Sequence, residues 1–205
     1  MVNDRERFMG FDNLGSYHLH AWMHHSDDNQ YGYIAGYRKA GDLLVDAVLE
    51  GRESVDFLVY PIMFCYRQHL ELTLKRLIKD SCNLLDESIE QYKKCLDNHD
   101  LTPLWLNCSF LLERTEELPA DFKVRVKGAV DFYESYDKKS FSFRYWNDKN
   151  GNRSLPHELK TLHVGKLVKS FSDVFDNLIA AQDQISYLLD LKSDLDREMR
   201  DWYGC

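Results

Sequence analysis

Residues 60–80, YPIMFCYRQHLELTLKRLIKD, carry the strongest helical pattern of this chain. Its apolar side chains recur every three or four residues, which places them on one face of an α-helix. That face consists of Met63, Tyr66, Leu70, Leu74 and Leu77. An apolar stripe of this length is typical of a helix packed inside a bundle, so we expect this segment to form the central helix.

Reactive side chains border the apolar stripe. Arg67, Glu71 and Lys75 follow one another at i, i+4 and i+8, so each can reach the next along one edge. His69 lies on the other edge, because residues two apart on a helix point about 160° apart. The pattern indicates either a functional cluster or an intrahelical ladder of ion pairs, each worth about 0.2–0.5 kcal/mol.

Two helices are predicted at and before this stretch. Ser54 is a suitable N-cap for a helix over residues 55–82, which Pro61 is expected to kink. The preceding helix is expected over residues 33–50, with Gly51 as its C-terminal stop.

Three further helices are predicted downstream. Asp100 or Thr102 caps a helix whose first turn contains Pro103, and another is expected over residues 121–136. From about residue 164 the helical pattern continues for more than thirty residues. This length predicts a long C-terminal helix, either unbroken or divided near Leu191.

Residues 140–155, SFSFRYWNDKNGNRSL, have a different period. Phe141, Phe143 and Tyr145 alternate with their neighbours, and the run ends at the turn-forming sequence NDKNG. Alternation of this kind predicts a strand, a turn and a returning strand. The expected fold is therefore all-α: an antiparallel helical bundle with one short β-hairpin and a long C-terminal helix.

Composition fits one globular domain. The 205 residues are 44% hydrophobic with four prolines, which allows a substantial core. We expect an N-terminal arm at residues 1–30 and a single helical domain at residues 31–205. The net charge of −8 opposes general attraction to nucleic-acid phosphates, so an RNA substrate would need a local basic pocket.

Cysteine usage and hydropathy indicate the compartment. The five cysteines are odd in number and form no CxxC pair, which predicts reduced thiols. No apolar run approaches the roughly 18–20 residues that span a bilayer, and the N-terminus lacks the apolar centre of a signal peptide. We therefore expect a cytoplasmic protein without membrane contact.

The N-terminal arm contains a cluster of histidines. His18, His20, His24 and His25 are candidate zinc ligands, with His20 and His24 on one helical face. No carboxylate or cysteine completes the set at a usual spacing, and packing of a mixed aromatic arm explains these residues equally well. We therefore predict neither a metal nor a cofactor.

Three segments, YRQHLELTLKRLI, HDLTPLW and FRYWNDKNG, together resemble helical proteins of the HEPN-like group found in bacterial defence and toxin contexts. The resemblance covers about residues 35–185. It implies an antiparallel helical bundle, commonly dimeric, that cleaves RNA without metal through an Arg and a His separated by four to six residues. This chain departs from that motif, since one residue separates Arg67 from His69 and three separate Arg153 from His157.

Phosphodiester cleavage needs a group that moves a proton at neutral pH and a cation that stabilises charge on the phosphate. We predict His69 or His99 for proton transfer, and Arg67 or Arg144 for the phosphate. His99 has a structural alternative, because it immediately precedes a helix-capping sequence. Arg144 has one too, because a cation–π contact could fix it to the bundle.

Four further residues are predicted to contact the substrate: Lys75, Glu71, Trp146 and Tyr145. Lys75 would engage phosphate. The guanidinium of Arg144 beside the indole of Trp146 could hold either a base or a phosphate.

Two functions remain open. The first is a metal-independent ribonuclease effector of a bacterial toxin or antiphage-defence system, acting as a homodimer on RNA. The second is a non-catalytic helical subunit that binds a partner protein from the same operon or a nucleotide. The acidic charge and the missing motif favour the second.

A homodimer is expected because the C-terminal pattern is longer than a compact bundle needs. A two-fold axis could also bring Arg67 and His69 of two copies into one composite cleft. The expected interface draws on apolar residues of the C-terminal helix and on the face of the first helix: Leu178, Ile185, Leu188 or residues 37–41.

Overall fold

The computed structural model describes residues 21, 30–115 and 118–203, and within these ranges it contains helices and no strand. The all-α prediction is confirmed. The predicted arm and its four histidines lie outside the described residues, apart from Ala21 and Gln30. The six α-helices in these ranges are α1 Gln30–Leu49, α2 Val55–Leu84, α3 Lys93–Leu96, α4 Leu101–Thr115, α5 Ala120–Tyr136 and α6 Val164–Tyr203, with a 3₁₀ turn at Ile89–Tyr92.

Helix α2 is the centre of the bundle and packs against α1, α4 and α6. It begins at the expected cap, where the backbone N–H of Asp56 donates to Ser54 Oγ at 3.3 Å. It continues through Pro61, which removes one backbone donor without ending the helix. Its predicted apolar stripe is buried throughout: Met63, Tyr66, Leu70, Leu74 and Leu77.

Contacts between the helices fix their directions. Helix α1 runs antiparallel to α2, since Ile34 meets His69 while Gly41 meets Tyr66. Helix α6 instead runs parallel to α2, because Phe171 packs on Tyr66 in the N-terminal half of α2, whereas Lys192, further along α6, donates to the carbonyl oxygens of residues 83 and 84 at the C-terminal end of α2. The bundle thus combines antiparallel neighbours with a parallel α2–α6 pair.

Gly41 permits the close approach of α1 to α2. A Cβ atom at this position would lie 2.4 Å from the Tyr66 ring, nearer than any real contact. The Tyr66 hydroxyl donates to Asp42 Oδ1 at 2.8 Å, which fixes the ring in that position. The first helix is therefore locked in register against the central one.

The prediction of a β-hairpin at residues 140–155 is wrong. Ser140 has a φ of 55°, and the Asp137 carboxylate accepts from the backbone N–H groups of Phe141 and Ser142, so the chain turns where a strand was expected. Only a single antiparallel bridge, between Asn147 and Arg153, forms in the described part of this segment. Local side-chain capping competes successfully with the alternating pattern here.

Helix α6 is unbroken over Val164–Tyr203, so no division occurs near Leu191. Of the predicted interface residues, Leu178 and Ile185 are fully buried in the chain's own core and Gly41 packs on Tyr66, so these three are not free to pair with another copy, whereas Leu188 is half-buried. Beyond Lys192 the same helix exposes a row of apolar side chains: Leu195, Met199 and Trp202.

None of the described helices is both long and apolar enough to cross a membrane. The four described cysteines, Cys65, Cys82, Cys95 and Cys108, are free and buried.

Candidate functional site

The predicted row of charges on α2 forms a connected cluster. Glu71 accepts from Arg67 Nη1 at 3.0 Å through one oxygen and from Lys75 Nζ at 2.9 Å through the other. The carboxylate is only 3% exposed and Arg67 is completely buried, whereas Lys75 retains 14% exposure. The cluster therefore runs from the interior towards the surface.

His99 joins this cluster from the loop before α4. The carboxylate can only accept, so the Nδ1–H of His99 donates to Glu71 Oε1, at 2.9 Å. The imidazole is 63% exposed, and this tautomer leaves Nε2 as its acceptor. An exposed histidine oriented by a buried carboxylate is suited to moving protons.

Arg67 connects two loops to the central helix. Its Nη2 donates to the backbone oxygens of His99 and Lys138, which precede α4 and follow α5. Its guanidinium also lies 5.8 Å from the centroid of the Tyr133 ring. Because the side chain has no exposed surface, it orients the loop that carries His99 and does not itself face a ligand.

The electrostatic balance keeps Glu71 ionised. Burial raises the pKa of Glu71, but hydrogen bonds from Lys75 and His99, with the charges of Lys75 and Arg67, lower it by more. The net pKa lies below the ordinary glutamate value. The carboxylate is therefore a permanent acceptor for His99 at neutral pH.

His69 lies on the other side of α2 and does not meet Arg67. Its Nδ1 pairs with the backbone oxygen of Ile34 at 3.0 Å, and its ring packs edge-on against Phe175. Burial lowers the pKa of His69, so the ring is neutral. With 2% exposure it belongs to the packing between α1, α2 and α6.

Arg144, Tyr145 and Trp146 lie apart from His99, in a surface groove of about 550 Å³. The Arg144 guanidinium lies 5.5 Å from the centroid of the Phe64 ring and 5.4 Å from that of Tyr145. The predicted cation–π contact is present, and the Trp146 indole is 69% exposed.

The groove and His99 lie along one face of α2. Tyr60 lines the groove, Phe64 meets Arg144, Gln68 bonds Ser140 and Glu71 holds His99. Eleven positions separate Tyr60 from Glu71, which is about 16 Å along a helix axis. The predicted residues therefore form two neighbouring surfaces rather than one cleft.

Several groove residues were missed by sequence reasoning. Arg153, His157 and Lys160 line it from the segment before α6. The turn at Asp148 and Gly151 was the available signal, since a tight turn returns the chain beside Trp146.

Across residues 30–115 and 118–203, no three His, Cys, Asp or Glu side chains lie together in an arrangement that could hold a metal ion.

Comparison with known proteins finds no matching family model, no matching curated protein and no matching solved structure.

Proposed function

We propose that this chain is a metal-independent, cytoplasmic ribonuclease of HEPN-like type that acts as a homodimer in bacterial defence or as a toxin. The observation that carries the proposal is the exposed His99 imidazole held through Nδ1 by the buried Glu71 carboxylate. Cleavage of RNA by attack of its own 2′-hydroxyl on phosphorus forms a 2′,3′-cyclic phosphate and breaks the bond to the 5′-oxygen. It requires a base that takes the hydroxyl proton and a proton, which water can supply, for the departing 5′-oxygen. His99 Nε2 is the candidate base.

The neighbouring residues take supporting roles. Lys75 shares Glu71 Oε1 with His99, so a phosphate near the imidazole would meet its ammonium group. Glu71 fixes the histidine tautomer, and Arg67 holds the loop. In this proposal His69 supports the fold, and Arg144 contacts RNA in the groove.

The homodimer is proposed through the distal half of α6. Leu191, Leu195, Met199 and Trp202 are 44%, 53%, 59% and 88% exposed. They fall within a narrow arc of the helix, as in an interhelical seam. Antiparallel pairing about Leu195 would match Leu191 of one copy with Met199 of the other and Leu188 with Trp202, so a closed, self-complementary contact follows.

Expression in a bacterium tests the activity. We expect wild-type protein to arrest growth and His99→Ala to relieve the arrest at equal protein level. His163→Ala is the matched control, since His163 is also exposed but lies before α6. Arrest that persists in His99→Ala would remove His99 from the mechanism.

The second candidate is a non-catalytic binding or regulatory subunit. The complete burial of Arg67 favours it, because the arginine expected to stabilise a phosphate is occupied by Glu71 and two backbone oxygens. Under this proposal wild-type expression is harmless, and a partner encoded beside the chain co-purifies with it.

A further inference from the structure

The groove concentrates positive charge on an acidic protein. Arg144, Arg153 and Lys160 line it, and no Asp or Glu appears among its described lining residues. None of these three cations forms an ion pair with another described residue, although ion pairs are frequent elsewhere on the surface. The charge of Arg144 does act on the buried carboxyl of Asp137, where it partly offsets the burial that raises the pKa of that group. With a net charge of −8, the chain keeps these cations available for an external anion.

Exposed aromatic rings stand beside the cations. Trp146 is 69% exposed and Tyr145 is 51% exposed. The Arg153 guanidinium carbon lies 5.1 Å from the centroid of the Trp146 indole. A planar base stacked on this indole would therefore have a cation next to its attached phosphate.

Backbone hydrogen bonds hold the segments that carry Trp146 and Arg153 side by side. Asn147 and Arg153 form an antiparallel bridge, and the N–H of Ser154 donates to the oxygen of Trp146 at 3.1 Å. Asp148 closes the turn between them by accepting from the N–H groups of residues 150 and 152. The site is preformed, which lowers the entropy lost on binding.

We propose that this groove binds a nucleotide unit, with its base on Trp146 and its phosphate on Arg144, Arg153 and Lys160. The volume of about 550 Å³ lies within the range of roughly 300–1,000 Å³ typical of small-molecule sites. The unit is either a free nucleoside phosphate or one residue of a single-stranded RNA. The RNA source rests on the proposed function, whereas nucleotide binding does not.

Fluorescence polarisation with a labelled five-nucleotide single-stranded RNA measures binding, and unlabelled ADP is the mononucleotide competitor. We expect Trp146→Ala and Arg153→Ala each to weaken binding about tenfold or more. Arg200→Ala is the control, because it removes an equal charge from the distal half of α6. Three phosphate contacts give a slope of log affinity against log salt near −2, and Arg153→Ala should reduce it by about 0.7.

The outcomes separate the two ligand sources and the two proposals. Displacement of the RNA by ADP identifies a free nucleotide as sufficient, and binding of the RNA alone identifies a chain; either result supports the groove if both variants lose it. Equal affinity in wild type and both variants, or no binding of either probe at millimolar concentration, overturns it. If His99→Ala binds the RNA as wild type does but no longer arrests growth, the groove proposal is supported independently of the proposed nuclease activity.

Discussion

Replacing Arg67 by Met should destabilise the fold severely. The change removes a fully buried cation and leaves Glu71, which is 3% exposed, without its Nη1 donor. It also frees two backbone oxygens, those of His99 and Lys138, which lose their guanidinium donor. Breaking a buried ion pair from one side costs about 3–5 kcal/mol when the other charge is left unpaired. Lys75 and His99 still bond Glu71, so the lost donors of the two backbone oxygens carry part of this cost.

The size of the effect can be measured by thermal unfolding followed by circular dichroism. For a domain of about 200 residues, each kcal/mol shifts Tm by about 2–4 °C, so Arg67→Met should lower Tm by roughly 6–20 °C. Lys127→Met is the control, since the Lys127–Asp131 pair has the same i, i+4 spacing but is 64% and 57% exposed. Its loss should cost less than about 1 kcal/mol.

A double variant tests the physical reason. Arg67→Met with Glu71→Gln removes the buried charge that has lost its Arg67 partner, so the double variant should be more stable than Arg67→Met alone, even though Glu71→Gln also weakens the bonds from Lys75 and His99. If Arg67→Met unfolds within about 0.5 kcal/mol of wild type, or if the double variant recovers nothing, then Arg67 does not hold these loops through Glu71.

Three other outcomes are expected. The pKa of Glu71 in the folded state is depressed below its ordinary value of 4.5. The ionised carboxylate therefore stabilises the fold above pH 4.5, and this stabilisation is lost as the pH falls through the lower, folded-state pKa. Glu71→Gln should reduce the slope of unfolding free energy against pH below about pH 4.5. Gly41→Ala should cost about 1–3 kcal/mol by urea unfolding, because its Cβ would overlap a ring of α2. Leu195→Asp should convert the proposed dimer to a monomer near 24.2 kDa by light scattering.

Gly41→Ala and Leu195→Asp each have a control variant in the chain, and Glu71→Gln has an outcome that would contradict it. Lys75 and His99 both bond Glu71, so an unchanged acid slope in Glu71→Gln would show that the carboxylate is not the titrating group. Gly36→Ala has open space around its new Cβ and should stabilise the exposed helix by about 0.5–1 kcal/mol. Ser193→Asp lies away from the seam and should remain dimeric; a monomeric wild type would contradict the proposed interface.

The helices were predictable because their signals are local. The stripe from Met63 to Leu77 and the cap at Ser54 lie within a few residues of the structure they specify, and the structure confirms them. The i, i+4, i+8 row of Arg67, Glu71 and Lys75 is likewise a property of one helix. Local periodicity carries this information without knowledge of the tertiary fold.

The site was less predictable because its contacts are distant in sequence. Twenty-eight positions separate Glu71 from His99, and nothing in the local pattern shows that the loop before α4 returns to α2. Burial of Arg67 and His69 also depends on which neighbours cover each edge of that helix. The hairpin failed for a different reason, since the Asp137 carboxylate captures two backbone donors and turns the chain.

Cleavage of a labelled single-stranded RNA by purified protein in EDTA tests the proposed activity most directly. We expect wild-type protein to cut the RNA, and His99→Ala to cut it about 10²–10⁴ times more slowly, the usual contribution of a proton-transfer group. His163→Ala should retain the wild-type rate. RNA left intact by wild-type protein, with or without added divalent metal, or equal rates for wild type and His99→Ala, would contradict the proposal that His99 on Glu71 is the centre of a ribonuclease.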